Sequence, residues 1–419
     1  MRRTLTGLGR WLAAGALACA VLAPIAATAA TAAAAAAAAT AAPAPACKWA
    51  DWDAFRQHLM SADGRVIDRS SEQQATVSEG QAYGLFFALV ANDRASFDKL
   101  LAWTENNLAQ GDLVSHLPAW IWGRLTPEQA ASAGHPANPG NPGSGWGVID
   151  SNPASDADLW IAYALLEAGR LWQERRFTAL GTLLARRILR EETALLPGLG
   201  RTVLPGPQGF RLGDKRWRLN PSYVPLQVMR RLAAALPEEP AWQQMVGTSA
   251  RLMLDTAPRG FSPDWVEYEV GRGFLPDAAT GAESAYNAIR VYLWVGTLPA
   301  DEPQRAALLR TFTPLADYVA ARGYPPERID TQTGQPGPNA GNGGFSAAVA
   351  PYLAALGRAD QAAAQVRRTR ELAQREPGGQ AGYYTQVLTL FGLGYLDGQY
   401  RFARDGALLP AWKTGCPAR

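Results

Sequence analysis

Two stretches of this 419-residue chain hold the residue types that acid–base hydrolysis needs. The first is Thr76-Val77-Ser78-Glu79-Gly80-Gln81-Ala82-Tyr83-Gly84, in which Glu79 is the one acid at the head of an otherwise apolar run. A carboxylate in a first helical turn is favoured by ~0.3–1 kcal/mol through the helix dipole. The same position, flanked by Gly80 and Tyr83, suits a proton donor that a sugar can approach closely. The second stretch is Ala154-Ser155-Asp156-Ala157-Asp158-Leu159-Trp160. Ser155 is a natural N-cap and both acids suit a first turn, so local spacing leaves a structural and a catalytic role open. Other chemistries are poorly supplied. The chain has three histidines, His58, His116 and His135, at no spacing that resembles a metal site or a Ser-His-Asp arrangement. No metal and no cofactor is expected.

The elements that must position these acids are helices. Trp49, Trp52, Phe55 and Leu59 recur at helical spacing, and comparable segments follow at about 79–92, 94–109, 154–174, 176–191, 221–236, 239–255, 284–296, 302–320, 344–357, 359–374 and 380–395. Short extended runs at 209–219 and 265–274 read as loop hairpins. Twelve helices in one domain admit an open helical repeat or a closed ring of six hairpins. In a closed ring the even-numbered helices run parallel and their N-termini share one face. Glu79, Asp156 with Asp158, Asn220 to Tyr223, Tyr286-Asn287, Gly344-Phe345 and Tyr383-Tyr384 all fall at such starts.

Composition bounds the function. Hydrophobic residues form 47% of the chain, enough for a large core. Arg2, Arg3 and Arg10 precede the first acid, Asp51, and acids and bases balance from Cys47 onward. The folded part therefore has no basic footprint for a nucleic-acid partner. The basic start, the apolar stretch Trp11 to Ala27 and small-residue cleavage options read as a signal peptide over residues 1–30. Residues 31–46 form an Ala-rich linker. No later run has the ~18 apolar residues of a spanning helix, so the mature protein is expected without a membrane span, in the periplasm or the medium. Cys47 and Cys416 stand at the two ends of the folded part, and in an oxidising compartment they are expected to pair.

The run from Ala154 through Ala168 to Trp172 resembles the signature of glycoside hydrolase family 8. Gly64-Arg65-Val66-Ile67-Asp68, Ser78-Glu79-Gly80-Gln81, Leu117-Pro118-Ala119-Trp120, Gly260-Phe261-Ser262-Pro263-Asp264-Trp265, Tyr324-Pro325-Pro326-Glu327 and Val387 to Gly392 are similar to the exported endo-1,4-β-glucanases of bacterial cellulose-synthase operons. The resemblance spans residues 47–416. It implies an all-α fold, an (α/α)6 barrel with short β-hairpins in its loops, that cuts β-1,4-glucan with inversion. It places Glu79 at the proton donor and Asp156 at an acid contacting the sugar where the chain is cut. It also implies cellulose chains as substrate, a monomer, and the cellulose synthase and export complex as a partner.

One departure stands out. The family's usual general base is the Asp of a Tyr-Asp-Ala-Ile-Arg run, and this chain reads Tyr286-Asn287-Ala288-Ile289-Arg290. Losing a general base typically costs ~10²–10⁴-fold in rate. Three outcomes stay open: another carboxylate among Asp264, Glu267, Glu269, Asp277 and Glu283 serves; Asn287 only orients the water in a slow enzyme; or the chain is a silent glucan-binding component of the export machinery. Sugar-stacking candidates are Tyr83, Trp120, Trp122, Trp146, Trp160, Tyr223, Trp265, Tyr286, Tyr383 and Tyr384. Asp158 and Arg290 complete the expected substrate contacts.

Overall fold

Apolar residues on every side of one set of helices, and on one side only of another, dictate the architecture. The computed structural model describes residues 47–132, 145–376 and 381–416. The expected signal peptide (1–30) and linker (31–46) lie outside the described residues. The main helices are α1 (Ala50–Leu59), α2 (Ser78–Val90), α3 (Arg94–Leu108), α4 (Ser155–Leu171), α5 (Arg175–Glu191), α6 (Leu226–Ala235), α7 (Pro240–Asp255), α8 (Ala288–Gly296), α9 (Arg305–Thr311, continuing as Thr313–Arg322), α10 (Gly343–Ala355), α11 (Ala359–Arg375) and α12 (Tyr383–Leu396).

In α2 every residue from Gly80 to Val90 is buried, and α8 is buried along its whole length. By contrast α5 buries Phe177, Leu180, Leu184 and Ile188 at helical spacing and turns its arginines outward. The first kind of helix must be surrounded by others, and the second must cover them. The even-numbered helices accordingly form an inner ring. α2 packs on α4, α4 on α6, a 3-10 turn at Pro221–Tyr223 on α8, α8 on α10, α10 on α12, and α12 back on α2. Each then turns back through an outer helix. The sixth pair joins the two ends of the chain, α12 against α1, and the Cys47–Cys416 disulfide closes it with Cα atoms 5.4 Å apart. This is an (α/α)6 barrel.

Aromatic rings fill the barrel axis. Phe391 touches Tyr83, Phe86, Phe87, Trp160 and Trp294 at centroid separations of 4.6 to 5.4 Å. The inner helices come together at small residues: a Cβ on Gly392 would stand 2.0 Å from the Ala347 carbonyl oxygen.

Short strands decorate the face where the inner helices begin. β1 (Thr76–Val77), β2 (Ala119–Arg124) and β3 (Trp146–Pro153) make one antiparallel sheet, and β1 and β3 run directly into α2 and α4. β4 (Thr193–Leu196) pairs with β5 (Gly200–Val203). β6 (Arg216–Leu219), β7 (Val266–Glu269) and β8 (Gly273–Pro276) form a second three-stranded sheet. β9 (Glu283–Ser284) pairs with β10 (Ile329–Asp330) just before α8.

Three expectations need correction. The segment at 221–236 is a 3-10 turn followed by a helix, because Pro225 cannot continue the first turn. Helix α8 starts at Ala288 and not at 284, since Glu283 and Ser284 are paired as a strand. The two expected hairpins are not independent, because β6 from the first pairs with β7 from the second.

Candidate active site

The N-termini of the inner helices bring their polar residues to one place, and Arg290 is the hub. It projects from the first turn of α8, its side chain 4% exposed. Nη1 donates to Glu79 Oε2, to Asp156 Oδ2 at 3.2 Å and to the Tyr83 hydroxyl at 3.3 Å. Nη2 donates to Asn287 Oδ1 at 2.8 Å and to Ser222 Oγ at 3.0 Å. Three inner helices and the 3-10 turn are thus tied through one guanidinium, whose planar fork of donors suits carboxylates.

Glu79 is the more open acid. Its side chain is 16% exposed against 5% for Asp156. Tyr383 at the start of α12 donates its hydroxyl to Glu79 Oε1 at 3.1 Å. That contact depends on Gly80, because a Cβ there would press within 3.2 Å of the Tyr383 ring. Asp156 accepts the Ala157 backbone N–H at 2.9 Å. Burial pushes its carboxyl up to about 7, opposed by Arg290 and assisted by the negative charge of Glu79. Because both acids bond one nitrogen, their nearest oxygens lie within two hydrogen-bond lengths, roughly 6 Å at most.

Asn287 sits at the other guanidinium nitrogen, Nη2. Its Oδ1 accepts from both Arg290 and Asn220 Nδ2, the latter at 3.1 Å, which leaves the amide –NH₂ as the group it can offer to a ligand. Its backbone is held by Asp264, whose Oδ1 accepts the N–H groups of Ala285 and Ala288 at 2.7 Å each. The other four carboxylates considered as a replacement base are tied elsewhere. Glu267 pairs with Arg216, Glu269 with Arg272 at 2.9 Å, Asp277 with Arg218 at 2.8 Å and Glu283 with Arg328 at 2.7 Å.

Two expected sugar contacts are placed differently. Asp158 is fully buried and faces Glu192, at the C-terminal end of α5, so it does not open onto the site. The Tyr83 ring is 1% exposed and packs edge-on against Trp160 and Phe391; only its hydroxyl reaches the site, through Arg290. Trp160 is likewise core. Tyr223 lies half-buried beside the Arg290 guanidinium at 5.6 Å from its ring centroid. Tyr384 donates to the Tyr286 carbonyl, and Tyr286, 39% exposed, bonds Glu327 at 2.8 Å. Trp120 stands 44% exposed on β2. Trp122 and Trp146 stack at 5.4 Å, with the Arg65 guanidinium 4.4 Å from the first ring. Trp265 is flanked by Phe210 at 6.0 Å, nearly parallel, and by the Arg218 guanidinium at 4.0 Å.

Sequence reasoning missed Glu192 and did not identify the acids on two other helices that Arg290 ties. Ser222 and Asn220 were signalled only by the cap-like Asn-Pro-Ser run. Among the described residues no group of three or more His, Cys, Asp or Glu side chains could hold a metal ion.

A six-hairpin helical barrel that gathers two carboxylates and an arginine among half-exposed aromatic rings defines a hydrolase acting on carbohydrate. The sequence matches Glycosyl hydrolases family 8 over residues 23–398, and the chain belongs to that family. An endoglucanase of Escherichia coli (strain K12) is 46% identical over 374 residues, covering 88% of this chain and 93% of that protein. An endoglucanase of Xanthomonas axonopodis pv. citri (strain 306) is 48% identical over 368 residues, covering 87% and 90%. Among solved structures, the endo-1,4-D-glucanase of Vibrio fischeri ES114 is 44% identical, with a TM-score of 0.79, over 87% of this chain and 100% of that one.

Proposed function

We propose that the chain is an exported endo-1,4-β-glucanase that cuts internal linkages of cellulose chains with inversion, as a monomer, during bacterial cellulose synthesis and export. The observation that carries the reading is the meeting of Glu79 and Asp156 at Arg290, on the face where the inner helices begin. The relatives named above support it, since each carries the name of an endoglucanase or endo-glucanase. They lend nothing to the alternative of a silent glucan-binding component. The basic and apolar N-terminus and the Cys47–Cys416 disulfide favour export, and no described helix is long and apolar enough to cross a membrane.

In the reaction, protonated Glu79 gives its proton to the glycosidic oxygen as the bond to the anomeric carbon breaks. Asp156, ionised against Arg290, stabilises the positive charge that develops on the sugar. Its charge is engaged by the same Arg290 nitrogen that bonds Glu79, which suits a fixed negative charge better than a base. Water adds from the opposite face, beside Asn287, whose –NH₂ orients it. An amide does not accept the surplus proton, which leaves to bulk water, and the rate is lower than an Asp would give. Asn287 is therefore a water-orienting residue.

Release of reducing ends from carboxymethyl-cellulose, with the first-formed anomer followed by NMR, tests the reading. An α-anomer appearing first supports it. A β-anomer first would make Asp156 a nucleophile, and no release at all would remove the activity.

A further inference from the structure

Behind Asp156 lies a second pair of acids that the reaction above does not use. Asp158, two residues further along α4, and Glu192, directly after α5, are each 0% exposed. All four of their carboxyl oxygens lack an N–H or hydroxyl donor from any other described residue. Among the described residues, the one side-chain hydrogen bond available to either is with the other. The charged groups acting on the pair are Asp156 and Glu191, both acids. Two buried carboxylates without a cation repel each other and forgo solvation, whereas a proton shared between them supplies the missing donor.

We propose that Asp158 and Glu192 are positioning residues that hold a shared proton, fastening the first turn of α4 to the end of α5 and keeping Asp156 aligned and ionised against Arg290. The link to Asp156 is geometric and electrostatic. Asp156 sits on the same turn, and a second negative charge behind it would oppose its own ionisation. The Glu192 backbone is also anchored on both sides, its N–H donating to the Ile188 carbonyl and its carbonyl accepting from the Leu204 N–H, each at 2.8 Å. Burial drives both carboxyls well above the usual carboxylate range, in the direction the pairing needs. Because these native values are raised, the stabilising effect is complete below the unfolded carboxylate values near ~4 and declines as pH rises toward the native ones. Once pH rises past those native values the proton is lost, the pair repels and Asp156 is displaced.

The test replaces one acid by its amide, which supplies a permanent donor in place of the shared proton. In Glu192→Gln and in Asp158→Asn the fall of Tm between about pH 5 and 9 should be shallower than in the wild type. The ratio of kcat at about pH 9 to kcat at about pH 6 should rise roughly threefold or more, with KM little changed. Parallel Tm profiles in the wild type and both variants would overturn the proposal. So would a roughly 10²-fold loss of kcat at every pH with an unchanged Tm profile, since that assigns the pair to sugar contact. If both variants fail to fold, urea unfolding of the wild type between about pH 7.5 and 9 decides: stability must still fall with pH there, the native state holding at least one extra proton. A flat profile sinks the pair. The Tm and urea readouts need no glucanase activity, so they stand or fall separately from the proposed function.

Discussion

The carboxylates of Glu79 and Asp156 accept hydrogen bonds from the same nitrogen of Arg290, although 77 residues separate them and each begins a different inner helix. One cation thus serves two acids that the proposed reaction uses differently, the exposed one as proton donor and the buried one as fixed negative charge. The geometry also sets the electrostatic balance of the site. As Glu79 gives up its proton, two carboxylates come to face one guanidinium, and the net negative charge that develops favours an oxocarbenium-like transition state.

Glu79→Gln keeps the shape of the side chain and its contacts with Tyr383 and Arg290 but removes the transferable proton. The expected loss of kcat is ~10²–10⁴-fold, with a much smaller change in KM. Reducing-end assays on a soluble β-1,4-glucan measure it, and near-wild-type turnover would contradict the assigned role.

Asn287→Asp places a proton acceptor beside the attacking water. With Arg290 already bonded to Oδ1 of this side chain, the new carboxylate has its counter-ion in place. Hydrolysis should speed up by ~10-fold or more, toward the ~10²–10⁴-fold that a general base contributes. No gain would mean that another carboxylate already takes the proton, and Asp264→Asn would then be the next variant to assay.

Asp156 links stability and activity in opposite senses. Burial raises its carboxyl to about 7, so the native state holds a proton that the unfolded chain has lost between about pH 4 and 7. The stability this contributes is complete below the unfolded value near ~4 and is lost as pH rises through about 7. Activity needs the ionised form, so kcat should fall as pH drops below about 7. Asp156→Asn should therefore raise Tm at neutral pH while lowering kcat at least ~10²-fold. A variant with both quantities unchanged would separate Asp156 from the chemistry.

The Cys47–Cys416 bond closes a loop of sequence separation 369. On the chain-entropy account its reduction costs up to ~5 kcal/mol, with measured values often smaller. A paired Cys47→Ser/Cys416→Ser variant should melt at lower temperature than the wild type and respond no further to reductant. The α12–α1 contact is expected to loosen first, which hydrogen exchange of α1 would report.

Much of this protein was legible in the order of its residues. Helical spacing of apolar side chains locates twelve segments, and polar clusters at the starts of alternate segments place Glu79, Asp156, Asn287 and Tyr383 on one face. These are local signals: a helix start declares itself through its cap residues, and burial on all sides through an unbroken apolar run. The same locality explains the errors at residues 284–287, where pairing of Glu283 and Ser284 with Ile329 and Asp330 took those residues out of the helix.

What the chain by itself determined is therefore the set of helices, their inner or outer place, and the acids that stand at the inner starts. The tertiary structure alone decided which side chains meet. Arg290 finds Glu79 across 211 residues, and Glu192 finds Asp158 from the far end of a neighbouring helix. It also decided that the Tyr83 ring and Asp158 are buried, only the Tyr83 hydroxyl reaching the site. Periodicity specifies the face a residue occupies, but hydrogen bonds and shared protons depend on ångström-scale distances between helices, and those follow only from packing the whole barrel.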